Sequence, residues 1–134
     1  VKIKVVVCNC VGFYREAMSR DLNGVAAQIN DDLDVAYAVE HPLLCGVGGN
    51  AFLEDTFRNA TPDTYIISAG CDSGTQLELL GPVIRTTKFP LDHFVPVDVR
   101  GLDRDHVTQK ILEAVSEVKL REHVYTVPGD GLDG

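Results

Sequence analysis

A chain of 134 residues that is 45% hydrophobic and 24% charged fits one soluble globular domain and leaves little room for a second. With 20 acidic against 12 basic residues the formal net charge is −8, and no Lys or Arg cluster interrupts it. Binding driven by phosphate contacts is therefore excluded, and no nucleic acid is expected as a partner.

Lys2 to Cys8 is a nearly continuous β-branched run, the pattern of a strand buried on both faces in a parallel sheet. Tyr14, Met18, Leu22, Val25, Ile29 and Leu33 then recur at three- and four-residue spacing, one apolar stripe on a first helix. Gly24 falls inside that stripe, at a cost of about 1 kcal/mol relative to Ala. Asp34 to Val39 reads as a second strand. A loop with Pro42, Cys45 and the glycines Gly46, Gly48 and Gly49 leads to a short helix from about Asn50 to Asn59, with Phe52, Leu53 and Phe57 inward.

Thr64 to Ala69 is a third strand, closed by Gly70 and Cys71. Ser73 and Gln76 have the spacing of a capping box, and Gly81-Pro82 breaks or kinks the helix that follows. His93 to Val99 is a fourth strand; Pro96 within it assigns it to a sheet edge, because proline lacks a ladder donor. Asp103 caps a last helix whose Val107, Ile111, Ala114, Val115 and Val118 form the buried stripe.

Strands alternating with helices predict an α/β domain, a Rossmann-like or flavodoxin-like three-layer sandwich with a four-stranded parallel sheet in the order 2-1-3-4. Residues 1–122 read as that single domain and 123–134 as a tail or docking segment. The first apolar run is too short for a signal peptide or a membrane span, so no membrane insertion and a cytoplasmic location are expected.

A domain of this size buries roughly 70% of the surface its unfolded chain exposes, so it folds without staples. Its four cysteines, Cys8, Cys10, Cys45 and Cys71, are thus better explained as ligands or reactive thiols than as crosslinks in a reducing compartment. Ligands of open parallel sheets bind beyond the carboxyl ends of the strands, where neighbouring crossovers leave in opposite directions. All four cysteines map there under the order 2-1-3-4. Soft thiolates select zinc or an iron–sulfur cluster. Gly46, Gly48 and Gly49, just before a helix, offer backbone amides toward such a group, while Gly12 and Gly70 allow close backbone approach. Arg100 or Arg15 is a candidate to offset its negative charge.

Val5-Val-Val-Cys-Asn-Cys10, Leu43-Leu-Cys45 with its trailing glycines, Ile67-Ser-Ala-Gly-Cys71 and Phe94-Val-Pro-Val-Asp-Val-Arg100 together resemble the N-terminal domain of the HdrA-like iron–sulfur proteins of heterodisulfide reductase. His106 and Lys110 also match the pattern of that domain, so the likeness runs over roughly Lys2 to Leu120. HdrA-like proteins belong to flavin- and iron–sulfur-containing electron-transfer complexes of anaerobic metabolism. The resemblance implies an electron-transfer module of an oxidoreductase complex, its cysteines holding a 4Fe-4S cluster and its partners being other redox subunits that bear flavin or ferredoxin. The chain departs from the family at Val11, which precedes Gly12, and at Gly46 and Asp72, which follow the last two cysteines. It also has no G-x-G-x-x-G fingerprint and no ferredoxin insert, so flavin is expected from another chain and catalysis is not expected of this one alone.

Two other readings of the same residues stand beside this one. One is a structural or interaction module with zinc on the same thiols. The other is a thiol–disulfide redox protein using Cys8 and Cys10.

Overall fold

The computed structural model describes residues 1–9 and 24–133, with side chains to residue 121. Four strands, β1 (Lys2–Cys8), β2 (Tyr37–His41), β3 (Thr64–Gly70) and β4 (Phe94–Asp98), form one parallel sheet in the order β2-β1-β3-β4. The helices are α1 (Val25–Asp32), α2 (Val47–Arg58), α3 (Ser73–Thr87) and α4 (Arg104–Asp133). The expected sheet and strand order are thus observed. No helix among the described residues is long and apolar enough to cross a membrane.

The apolar pattern of each strand explains its place. All seven residues of β3 are buried, as are Val5, Val6 and Val7 of β1, because these two central strands are covered on both faces. Right-handed crossovers carry α1 to one face and α2 and α3 to the other. Accordingly α1 packs with α4, and α2 packs with α3. The buried stripe of α4, Val107, Ile111, Ala114, Val115 and Val118, closes one layer. On the other, Phe57 of α2 stacks on Phe89 at 4.7 Å and meets Phe94 edge-on at 6.2 Å.

Element boundaries differ from the sequence expectations in instructive ways. The second strand lies at Tyr37–His41 rather than 34–39, since its pairing with β1 begins at Lys4 opposite Tyr37 and ends at Cys8 opposite His41. Gly24 is the N-cap of α1, with φ +86°, rather than an interior residue. Tyr14, Met18 and Leu22 of the expected stripe lie outside the described residues. Helix α2 starts at Val47, three residues earlier than expected, so Gly48 and Gly49 belong to its first turn.

The capping box at Ser73 and Gln76 is also corrected. Asp72 caps α3, its carboxylate accepting from the Thr75 N–H at 3.1 Å and the Thr75 hydroxyl at 2.8 Å. Nor does Gly81-Pro82 end the helix, which continues to Thr87 because Leu80, Val83 and Ile84 are buried on both sides of the proline. Pro96 does sit on an edge strand, and Asp103 does cap α4 through the His106 N–H at 2.9 Å. The backbone of α4 runs on into the segment 123–134.

Ser68 is fully buried in β3 between Val6 and Pro96, and its hydroxyl has no hydrogen-bond partner among the described residues. A desolvated hydroxyl without compensation opposes folding. Ser68→Ala is expected to leave stability unchanged or raise it by about 1 kcal/mol in urea denaturation. A loss of that size would show that the hydroxyl is paired.

Candidate functional site

The order β2-β1-β3 sets the carboxyl ends of three adjacent strands side by side, and the crossovers leave β1 and β3 in opposite directions. Cys8 is the last residue of β1 and is buried. Cys45 lies in the short connection between β2 and α2, and Cys71 directly follows β3; both are half-buried. Cys10 lies outside the described residues, as do Gly12 and Arg15.

Two contacts tie these ends together. The Leu44 N–H donates to Cys8 Sγ at 3.5 Å, which holds the Cys45 loop over the end of β1. On the other side, a side chain at Gly70 would bring its first carbon within 3.3 Å of the Cys8 Cβ, so glycine lets β3 close on β1 here. Cys45 itself lines a groove of about 480 Å³ between α2 and α3, with Val47, Ala51, Pro82 and Val83. Cys8, Cys45 and Cys71 thus lie at, or in the connections after, the carboxyl ends of three adjacent strands. Among the described residues, however, no three Cys, His, Asp or Glu side chains come close enough together to form a ligand set for a metal ion.

The three described glycines after Cys45 have separate jobs. Gly46 caps α2 and accepts from the Asn50 N–H at 2.8 Å and the Asn50 side chain at 2.9 Å. Gly48 faces open space. Gly49 is buried against the carbonyls of Leu43 and Leu44, where any side chain would collide with backbone. His41, opposite Cys8, has its ring fixed by stacking on Phe52 and by accepting the Leu43 N–H at 3.0 Å, and so serves the loop.

Arg100 reaches this edge from beyond β4. Its guanidinium grips Asp98 through Nε at 3.0 Å and Nη2 at 2.8 Å, and it lies 3.6 Å from Asp72, the residue after Cys71. Two carboxylates face this guanidinium, and Lys110 adds a second positive charge near Asp98. Hydrogen bonds from Arg100 hold the Asp98 carboxyl below its ordinary pKa, and those from Thr75 do the same for Asp72. A carboxyl with a depressed folded-state pKa adds stability above its unfolded value, about 3.9, and loses it as pH falls through the folded value. The denaturation midpoint is therefore expected to drop below about pH 4. Asp98→Asn should flatten part of that acid limb, and a limb of unchanged steepness would show that Asp98 contributes nothing to it.

Sequence reasoning missed Gln76, treated as half of a capping box. Its side chain is buried, and Nε2 donates to the Cys71 carbonyl at 2.7 Å and the Val97 carbonyl at 3.2 Å. The signal for it was position: a glutamine four residues after an aspartate cap that itself follows Cys71. Comparison of the chain with known proteins finds no family model that matches it and no significant match among curated proteins.

Proposed function

We propose that the chain is an iron–sulfur electron-transfer module of a heterodisulfide-reductase-like redox complex, with Cys8, Cys10, Cys45 and Cys71 as ligands of a 4Fe-4S cluster. The observation that carries this reading is that Cys8, Cys45 and Cys71 lie at, or in the connections after, the carboxyl ends of three adjacent strands around the switch point of the sheet. Soft sulfurs, an amide directed at Cys8 Sγ and a side-chain-free backbone at Gly70 support it, although the described side chains do not by themselves close a ligand set. The resemblance of the cysteine segments to the N-terminal domain of HdrA-like proteins points the same way.

When bound, the cluster supplies one-electron redox chemistry. The chain's own residues hold and tune the site. Cys8, at the end of a buried central strand, would be its fixed point, and Cys45 and Cys71 would join it from the connections that follow β2 and β3. Flavin- or ferredoxin-bearing subunits would donate and accept the electrons.

Single substitutions test the ligand set. Cys45→Ser and Cys71→Ser are each expected to abolish the visible absorption of the anaerobically reconstituted chain while far-UV circular dichroism stays native. Redox behaviour that survives both substitutions and requires only Cys8 and Cys10 would instead establish a thiol–disulfide protein.

A further inference from the structure

An edge strand offers its outward N–H and C=O groups to any other extended chain. β2 and β4 are the two edges of the described sheet. On β2, the Asn9 N–H donates to the His41 carbonyl at 2.9 Å, so His41, Val39 and Tyr37 turn their backbone groups toward β1, and Ala38 and Glu40 turn theirs away. On β4, the Val99 N–H donates to the Gly70 carbonyl at 3.0 Å, and the same alternation leaves Phe94, Pro96 and Asp98 facing outward. Pro96, in the middle of that edge, has no N–H to give.

The middle of the β2 edge is closed in another way. Asn30, on α1, donates from Nδ2 to the Ala38 carbonyl at 2.8 Å, and its Oδ1 accepts the Ala38 N–H at 2.8 Å. One side-chain amide thus exchanges both bonds with one residue, as the facing residue of an antiparallel strand would. Asn30 is exposed, whereas Ala38 is 4% exposed. Rotation of this one surface side chain frees both backbone groups.

We infer that Asn30 is a latch on the β2 edge, and that the released edge pairs with β2 of a second copy of this chain in a twofold dimer. Pro96 deprives β4 of the central donor that such pairing needs, so β2 is joined by β2. An antiparallel pair about an axis at Val39 sets Ala38 of each copy opposite Glu40 of the other, and avoids the like-charge contact of Glu40 on Glu40. The interface is isologous and closes at two copies instead of growing into a filament. It is independent of what the thiols bind.

Sedimentation equilibrium of the full chain and its Asn30→Ala variant, in reductant, tests the latch. Alanine suits the helix and removes both bonds, so the variant dimer no longer forms at their expense. Its association constant should exceed that of the native chain by about tenfold, the net worth of such bonds, and association should stop at the dimer. Val39→Cys added to Asn30→Ala places the introduced sulfurs across the axis, with Cα atoms about 4.5 Å apart and within disulfide reach. Oxidation should then yield an intermolecular 39–39 crosslink, read by mass spectrometry. Equal association constants, growth beyond the dimer, or a dimer without that crosslink would each overturn the inference. So would a variant that takes up a synthetic peptide of residues 34–42 yet forms no dimer, since the occupant would then be a free extended segment. If Asn30→Ala fails to fold, Asn30→Asp carries the test: it keeps the acceptor for the Ala38 N–H and loses the donor, so association should again rise, and a native value overturns the latch.

Discussion

Gly49→Ala is expected to destabilise the protein by about 3 kcal/mol, at the upper end of what overpacking costs. Gly49 is buried in the first turn of α2, and the added methyl would occupy space already held by the Leu43 and Leu44 carbonyls. Neither neighbour is a flexible side-chain tip, so relief requires that the loop and the helix separate. That loop carries Cys45 and donates the Leu44 N–H to Cys8, so separation also disturbs the thiol edge. Chemical denaturation should show the loss, and Gly48→Ala is the matched control, because a methyl at Gly48 meets nothing. Equal stability of the two variants would show that the close approach at Gly49 is not required.

Phe57→Ala should cost about 3 to 5 kcal/mol. Phe57 is 3% exposed at the last turn of α2 and joins Phe89 and Phe94 in one aromatic cluster, so truncation leaves a cavity that three elements line and none can fill alone. Phe94 begins β4, opposite Ile66 near the start of β3, which places this cluster at the amino end of the sheet. Gly49 and Phe57 thus fasten the two ends of one helix, and only the first lies at the thiol edge. Phe57→Ala is accordingly expected to lower the denaturation midpoint while leaving cysteine chemistry at native values in the folded chain. A loss below about 1 kcal/mol would mean that the cluster repacks.

The sheet was legible because its signal is strong and redundant. Runs such as Lys2 to Cys8 and Thr64 to Ala69 have the β-branched character that buried parallel strands need, and Pro96 marks the edge strand. The handedness of crossovers then leaves few orders to choose among. What sequence reading missed were one-residue and one-turn distinctions decided by tertiary contact. Asp72 and Ser73 are both good caps, and it is the Asp72 carboxylate that accepts from the Thr75 N–H and hydroxyl. Gly81-Pro82 reads as a break or a kink, and the helix runs through it with buried residues on either side. Gly49 reads as a flexible loop residue that offers an amide, whereas it allows helix and loop backbones to touch. At the thiol edge, topology alone placed Cys8, Cys45 and Cys71 together; the distances between their sulfurs depend on loop conformation, which residue pattern does not encode.

The most direct measurement is iron and acid-labile sulfide per chain after anaerobic reconstitution, taken with the visible spectrum. The iron–sulfur assignment predicts about four irons and four sulfides, with a broad absorption that dithionite bleaches. A chain that binds zinc without colour, or that binds no metal under these conditions, would contradict it.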